Sequence, residues 1–336
     1  MTTSKPFKEI ASLVASLKQR GLQVVDDAAA ETYLRKVGYF RSGGYRYLFR
    51  ELLPEAQQDA SLRQFRSDMY MPGASLGQVQ DIEEFDARLR IAIMQGIMDF
   101  EVRLRAAMAH TLARRHEAAH ADASYLDATE CAKTVQSGET KFEAWETTYQ
   151  AAISGSREED FIAHELIKYG KPLATWVAVE VLSFGSLPYL YELMLVDDRR
   201  EVARAFGVKQ EARFAAWMRA LVDLRNYCAH GARLFNRLTK RPVKVTPHSY
   251  GLGYLDHLLA PNFTPAPEPA RRVYPLVALL AYMLQHHEAG SKWSGTFKTC
   301  MGKLPKIVLP GTTDPLVTPE QNMGFPTGLK ALPLWS

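Results

Sequence analysis

The feature that most constrains the fold is a long helical periodicity in the first third of the chain. Between Asp81 and about Arg115, apolar residues recur every three or four positions, at Leu89, Ile93, Ile97, Phe100, Leu104, Met108 and Leu112. This spacing puts them on one face of an α-helix, whereas a strand alternates by two. On the opposite face, Glu101 precedes Arg105 by four residues, the favourable orientation for a helical ion pair. The sequence therefore predicts one long amphipathic core helix.

A second periodic stretch runs from Lys209 to Ala229. Its apolar seam consists of Phe214, Trp217, Leu221, Leu224 and Cys228. At about 100° per residue, Arg225 lies roughly 40° from Leu221, at the margin of the seam. His230 points away from the seam and shares a face with Asn226. Gly231 is expected to end this helix.

Shorter helices are predicted elsewhere, and strand signals are few. The predicted segments are 7–19, Asp26 or Asp27 to Val37, Phe142–Ile153, Pro172–Phe184, a turn or two after Ser186, Asp197 or Asp198 to Gly207, and Tyr274–His287. Residues 54–75 are expected to be a connection, in which a short helix or strand remains open. We therefore expect an all-α protein with an amino-terminal helical region (1–75), a helical domain (76–295) and an extended Pro/Gly-rich tail packed on it (296–336).

Bulk composition describes an ordinary globular protein. Hydrophobic residues make up 47% and charged residues 23% of the 336 residues, and the net charge is +4. A polyanionic partner is compatible with this charge, but so is normal surface variation. The three cysteines are far apart and lack metal-ligand spacing, so we expect no disulfide framework, metal or cofactor. Charged residues interrupt the amino terminus and no apolar stretch could span a bilayer, so we expect a cytoplasmic protein without a membrane partner.

The stretch from Arg225 to Arg237 carries the residue types for phosphodiester chemistry. Arginine binds phosphate, and histidine transfers protons near neutral pH. The spacing alone is weak, since Arg105 to His110 and Arg115 to His120 repeat it. Its context is more specific: Asn226 lies inside the motif, and further cations follow at Arg233, Arg237 and Lys240.

Metal-independent RNA cleavage needs a base for the 2′-hydroxyl, an acid for the leaving oxygen and a cation on the phosphate. Because Arg225 and His230 diverge around the helix, we expect two chains to complete the site in a symmetric homodimer. Arg225 is predicted to hold the phosphate, His230 to transfer the proton and Asn226 to orient these groups. The structural alternative is an ion-paired arginine beside a histidine without a catalytic role.

A second basic segment lies between Tyr39 and Arg50, where aromatic residues and arginines alternate. Arg41, Tyr45 and Arg46 are predicted to contact single-stranded RNA by stacking and phosphate binding. The alternative is that the aromatic rings pack on the core and the arginines extend to solvent.

Several blocks together resemble the Abi-like family of bacterial abortive-infection proteins, of the AbiD and AbiF type. The carboxy-proximal block is Arg225-Asn226-x-Cys228-Ala229-His230-x-x-Arg233-Leu234-Phe235-Asn236-Arg237. Further similar blocks are Val37 to Tyr45, Phe85-Asp86-x-x-Leu89-Arg90 with Glu101 to Arg105, Trp176 to Gly185, and Met323-Gly324-Phe325-Pro326. Gly231 stands where many relatives carry a second histidine, and Gly43 departs from the usual leucine or serine.

The resemblance implies a HEPN-type helical bundle, a dimeric ribonuclease site and a toxin-like role in phage defence. It also implies a possible partner, a small structured non-coding RNA. Two other functions remain open at this point. One is a non-catalytic RNA-binding module in which His230 is structural, and the other is a purely protein-binding, antitoxin-like partner.

Overall fold

The structure, a computed structural model, describes residues 6–62, 64–246, 253–288 and 291–336, and it is largely helical. Within these ranges the helices are α1 Ile10–Gln19, α2 Asp27–Val37, α3 Tyr39–Arg46, α4 Leu76–Ala113, α5 Ala128–Cys131, α6 Lys141–Gly155, α7 Asp160–Lys168, α8 Thr175–Val181, α9 Leu187–Leu193, α10 Val196–Ala205, α11 Glu211–Ala229, α12 Val273–His287, α13 Trp293–Met301 and α14 Pro319–Met323. The small antiparallel sheet pairs β1 Arg50–Leu52 with β2 Arg66–Tyr70. The all-α prediction is confirmed.

Helix α4 is the central element of the bundle. It contacts α3, α8, α10, α11, α12 and α13. Its 38 residues give it a length of about 57 Å. The helix begins five residues before the predicted Asp81, because Ser75 and Gln78 form a capping box in which each side chain accepts from the other's backbone N–H. The apolar face predicted from Leu89 to Leu112 is buried.

Two hydrophobic clusters meet along α4. The larger one surrounds most of α4 and includes α8 to α13, with Phe325 and Trp335 of the tail buried in it. The smaller one joins α1 to α3 with the first turns of α4 and with Ile307 and Leu309 of the tail. Leu234 belongs to the larger cluster and its neighbour Phe235 to the smaller one. The segment after His230 therefore bridges both clusters.

Some local predictions were wrong or incomplete. Helix α8 begins at Thr175 rather than at Pro172, because the Thr175 amide and hydroxyl both donate to the Glu117 carbonyl, at 2.7 and 2.8 Å, and fix the preceding segment. Helix α7 was not predicted. Residues 54–75 contain β2, so the strand left open for this connection is present, whereas the predicted extended tail begins with the end of α13. In the part of the chain described here, no helix has both the length and the apolar character needed to cross a bilayer.

Candidate functional site

Helix α11 presents the predicted motif at its carboxyl end. The seam residues Phe214, Trp217, Leu221 and Leu224 are buried, as predicted, and Cys228 is half-buried. Burial raises the pKa of the Cys228 thiol to about 12, which favours the protonated thiol at neutral pH. The apolar seam fixes the helix, and the motif side chains extend from a rigid support.

The helix ends at His230 and Gly231. The His230 amide donates to the Asn226 carbonyl at 3.0 Å, and the Ala232 amide donates to the Tyr227 carbonyl at 2.8 Å. Gly231 has φ of 62°, a left-handed conformation that a side chain disfavours. This turn leaves the His230 side chain exposed to solvent.

A buried carboxylate on α4, Asp86, anchors the segment that follows. Its Oδ1 accepts from the Leu234 amide at 3.1 Å and from the Phe235 amide at 2.6 Å. Its Oδ2 accepts from the Tyr45 hydroxyl at 2.7 Å and from Arg90 at 2.5 Å. One carboxylate thus ties the motif segment, α3 and α4 together, and we call this group the Asp86 clamp.

Sequence reasoning missed the anchoring role of Asp86. The residue lies between Phe85 and Leu89 on the buried face of α4, where an acidic side chain requires partners. An acid within an otherwise apolar stripe was the available signal. Its partners Leu234 and Phe235 are almost 150 residues away in sequence, and the periodicity of α4 contains no information about them.

Tyr45 is not available to RNA in this structure. Its side chain is fully buried, and its hydroxyl donates to Asp86. Burial and the neighbouring Asp86 carboxylate raise the pKa of Tyr45, so the hydroxyl remains a donor. With no ring face open to a base, the prediction that Tyr45 contacts RNA is replaced by a role in the clamp.

Arg225 lies near Glu101 of α4, with Asn226 beside it. The Arg225 guanidinium is 3.3 Å from the Asn226 side-chain oxygen, and it interacts electrostatically with Glu101. The predicted Glu101–Arg105 ion pair is present at 2.5 Å, and Arg105 also donates to the Leu182 carbonyl. Burial raises the pKa of Glu101, while Arg105 and Arg225 oppose that shift. Arg225 is therefore half-buried in a charged group that orients it.

His230 has a different neighbourhood from Arg225. The Arg41 guanidinium of α3 lies 3.8 Å from the position that a Cβ on Gly231 would take, next to the exposed histidine. Arg41 is itself exposed, and its Nε is 3.8 Å from the Glu83 carboxylate. The structure thus brings a cation from the amino-terminal segment to the His230 turn.

The remaining predicted cations occupy three different environments. Arg233 is half-buried and donates to the Phe235 carbonyl at 2.9 Å. Arg237 lies over the Tyr227 ring, 4.4 Å from its centroid, and donates to the Arg233 carbonyl. Lys240 is exposed. The two basic segments, which the sequence shows separately, meet through Arg41 and Arg233.

A pocket of about 610 Å³ lies where these segments meet, and we call it the arginine pocket. It is lined by Tyr39, Phe40, Arg41, Gly43, Gly44, Arg46, Arg50 and Arg233. Arg50 was not predicted as a site residue, since its place beside Arg46 depends on the turn between α3 and β1. Among the described residues, no group of three or more His, Cys, Asp and Glu side chains is arranged to hold a metal ion.

Comparison with known proteins gives one match. A family model described as Abi-like protein matches residues 32–236, which is 205 of the 336 residues. The chain belongs to the Abi-like protein family. The matched span contains α3, the Asp86 clamp and the whole stretch from Arg225 to Asn236. No curated protein and no solved structure matches the chain.

Proposed function

We propose that this Abi-like protein is a metal-independent endoribonuclease of phage defence, acting through Arg225 and His230 in a homodimer. Family membership supports a role in abortive infection. The observation that carries the catalytic part is the exposed His230, fixed between a rigid helix and the Asp86 clamp, with Arg41 beside its turn. A HEPN-type fold, which the sequence resemblance implies, is part of the same proposal.

The proposed reaction is an internal transfer of the RNA phosphodiester. A base removes the proton of the 2′-hydroxyl, the 2′-oxygen attacks phosphorus, and the bond to the 5′-oxygen breaks to leave a 2′,3′-cyclic phosphate. An acid protonates the departing 5′-oxygen. His230 serves as one of these two groups and the partner copy's equivalent as the other, because one imidazole does not perform both steps at once. Arg225, held by Asn226, stabilises the charge on the phosphate.

Cleavage of single-stranded RNA in EDTA tests the catalytic assignment. We expect His230→Ala to lower the rate by about 100-fold or more, since a positioned acid or base contributes about 10²- to 10⁴-fold. His110→Ala is the matched control, because His110 follows Arg105 at the same spacing and is also exposed. Wild-type protein that cuts no faster than His230→Ala across the RNAs tested would contradict the proposal.

The homodimer is tested by dilution. Specific activity should fall in step with the dimer fraction measured by analytical ultracentrifugation, because each site needs groups from two copies. Full specific activity at concentrations where the protein is monomeric would remove the composite site from the proposal, while leaving the assignment of His230 intact.

A non-catalytic RNA-binding function is the second candidate, and the arginine pocket favours it. In that case the arginines bind RNA, including a small structured RNA partner, and His230 has no chemical role. His230→Ala would then keep RNA binding and biological effect, whereas charge reversal at Arg233 and Arg237 would abolish both. Salt-sensitive RNA affinity separates both candidates from a purely protein-binding role.

A further inference from the structure

One of the residues that line the arginine pocket is a buried arginine whose hydrogen-bonding groups are only partly used. Arg46 is 2% exposed, and its Nη2 donates to the Tyr39 carbonyl at 2.7 Å. Its guanidinium lies over the Tyr39 ring, 4.2 Å from the centroid. Within the described part of the chain, neither Nε nor Nη1 of Arg46 has a hydrogen-bond partner.

This arrangement leaves part of a buried cation without a hydrogen-bond acceptor. A buried donor that has lost water and found no acceptor is costly, and the cost is larger for a charged group. Two carboxylates form ion pairs with other arginines of the pocket: Glu83 is 3.8 Å from Arg41, and Asp68 is 2.9 Å from Arg50. None of the carboxylates in the described ranges forms an ion pair with Arg46.

The other pocket walls add positive charge around the same space. Arg41, Arg50 and Arg233 line the pocket together with Arg46. The backbone permits this close approach at Gly44, where a Cβ would lie 3.0 Å from the Arg233 Nε. Four arginines therefore line one cavity, and guanidinium groups suit both the negative charge of a phosphate and the geometry of its oxygens.

We propose that the arginine pocket binds the phosphate group of a nucleotide, with Arg46 as the buried anchor. The pocket is larger than a phosphate ion, so it has room for the attached nucleoside. Phe40, 96% exposed at the rim, offers a ring face on which a base can stack. Two sources share this chemistry: a phosphate along an RNA chain, or a free mononucleotide.

The position of the pocket favours the RNA chain as the source. Arg41 reaches both the pocket and the turn at His230, and Arg233 is in the segment held by the Asp86 clamp. An RNA whose reacting phosphate lies near His230 would place a neighbouring, uncut phosphate in the pocket. This choice of source rests on the proposed function, whereas phosphate binding by Arg46 does not.

Thermal unfolding of the full chain with defined ligands tests the pocket itself. Adenosine 5′-monophosphate and inorganic phosphate should raise the Tm by at least about 2 °C at saturating concentration, and adenosine at matched ionic strength should not. Arg46→Gln should abolish the rise. Arg35→Gln is the control, since it removes an exposed arginine of α2 that forms an ion pair with Glu31 and does not line the pocket.

A second variant covers the case in which Arg46→Gln fails to fold. Arg50→Gln changes a half-exposed side chain on the same pocket wall and should weaken adenosine monophosphate binding about tenfold, measured by calorimetry. A rise in Tm that persists in Arg46→Gln, unchanged affinity in Arg50→Gln, or no phosphate-dependent rise in the wild type would each overturn the proposal.

Competition identifies the source of the phosphate. If adenosine monophosphate displaces a fluorescent RNA oligonucleotide from the protein, the pocket holds a phosphate of the RNA. If the protein binds both ligands at the same time, the pocket holds a free nucleotide. The proposed function fails separately from the pocket. If His230→Ala loses cleavage but keeps the rise in Tm with phosphate, both the proposed function and the pocket are supported. If the wild type shows no cleavage, the proposed function fails, and the pocket is then decided by whether Arg46→Gln abolishes the rise in Tm.

Discussion

At the scale of single residues, the most consequential group is the carboxylate of Asp86. It has no exposed surface and accepts from two backbone amides, a tyrosine hydroxyl and an arginine. Buried charges are tolerated only when they are paired and hydrogen-bonded, and Asp86 meets both conditions. The segment that follows His230 is therefore held in place by a residue far from it in sequence.

Replacing Asp86 by asparagine should destabilise the protein by about 3 kcal/mol or more, because an amide NH₂ would face groups that are themselves donors, and Arg90 would lose its countercharge. Chemical denaturation measures this change. Glu84→Gln is a matched control on the same helix: Glu84 pairs with Arg88 at the same i, i+4 spacing but is 69% exposed, so its loss should cost less than about 1 kcal/mol. Equal effects of the two variants would contradict the anchoring role.

At the scale of elements, α4 depends on one glycine in its interior. A Cβ at Gly96 would lie 2.4 Å from the Trp293 ring, whose Nε1 donates to the Ala92 carbonyl at 2.8 Å. Alanine normally favours a helix over glycine. Here the absence of a side chain is needed for α13 to pack against α4.

Gly96→Ala should therefore lower the free energy of unfolding by about 1–3 kcal/mol, the usual range for overpacking a well-packed core. Thermal unfolding of Gly77→Ala provides the comparison, since Gly77 lies in the first turn of α4 and its Cβ would meet nothing closer than 3.9 Å. We expect that control to be neutral or slightly stabilising. Stabilisation by Gly96→Ala would show that the Trp293 contact is dispensable.

At the scale of the whole molecule, stability should depend on pH through buried histidines. His120 is fully buried against Tyr149, with its Nδ1 2.9 Å from the Thr175 hydroxyl, and burial lowers its pKa from 6.5 to about 4. Between these two pH values the unfolded chain binds a proton that the folded chain does not. The free energy of unfolding should therefore fall as pH decreases from 6.5 to 4, by up to about 3 kcal/mol for this residue.

Urea unfolding at several pH values checks this prediction. His120→Gln removes the titrating group and should flatten the pH dependence between pH 6.5 and 4, even though it destabilises the protein at neutral pH. Some dependence should remain, because burial lowers the pKa of His257 to about 4 as well. Parallel curves for wild type and His120→Gln would show that His120 is not the source.

The amino-acid sequence by itself determined the helices with strong periodicity and clear end signals. The burial of Leu89 to Leu112, the seam from Phe214 to Leu224 and the stop at Gly231 follow from side-chain spacing and local backbone preference, which are properties of a short stretch of chain. The Abi-like motif was likewise visible as a string of residues.

Tertiary structure alone decided which parts of that string act together. Asp86 of α4 accepts hydrogen bonds from Leu234 and Phe235, which lie beyond the end of α11, and Tyr45 is buried in the same group. Arg46 and Arg233 line one pocket. These contacts join residues up to about 190 positions apart, so no local pattern encodes them. The physical reason is that a buried charge is stable only beside partners of opposite charge or hydrogen-bonding groups. The packing of the helices brings these partners together, and this packing is a property of the whole chain.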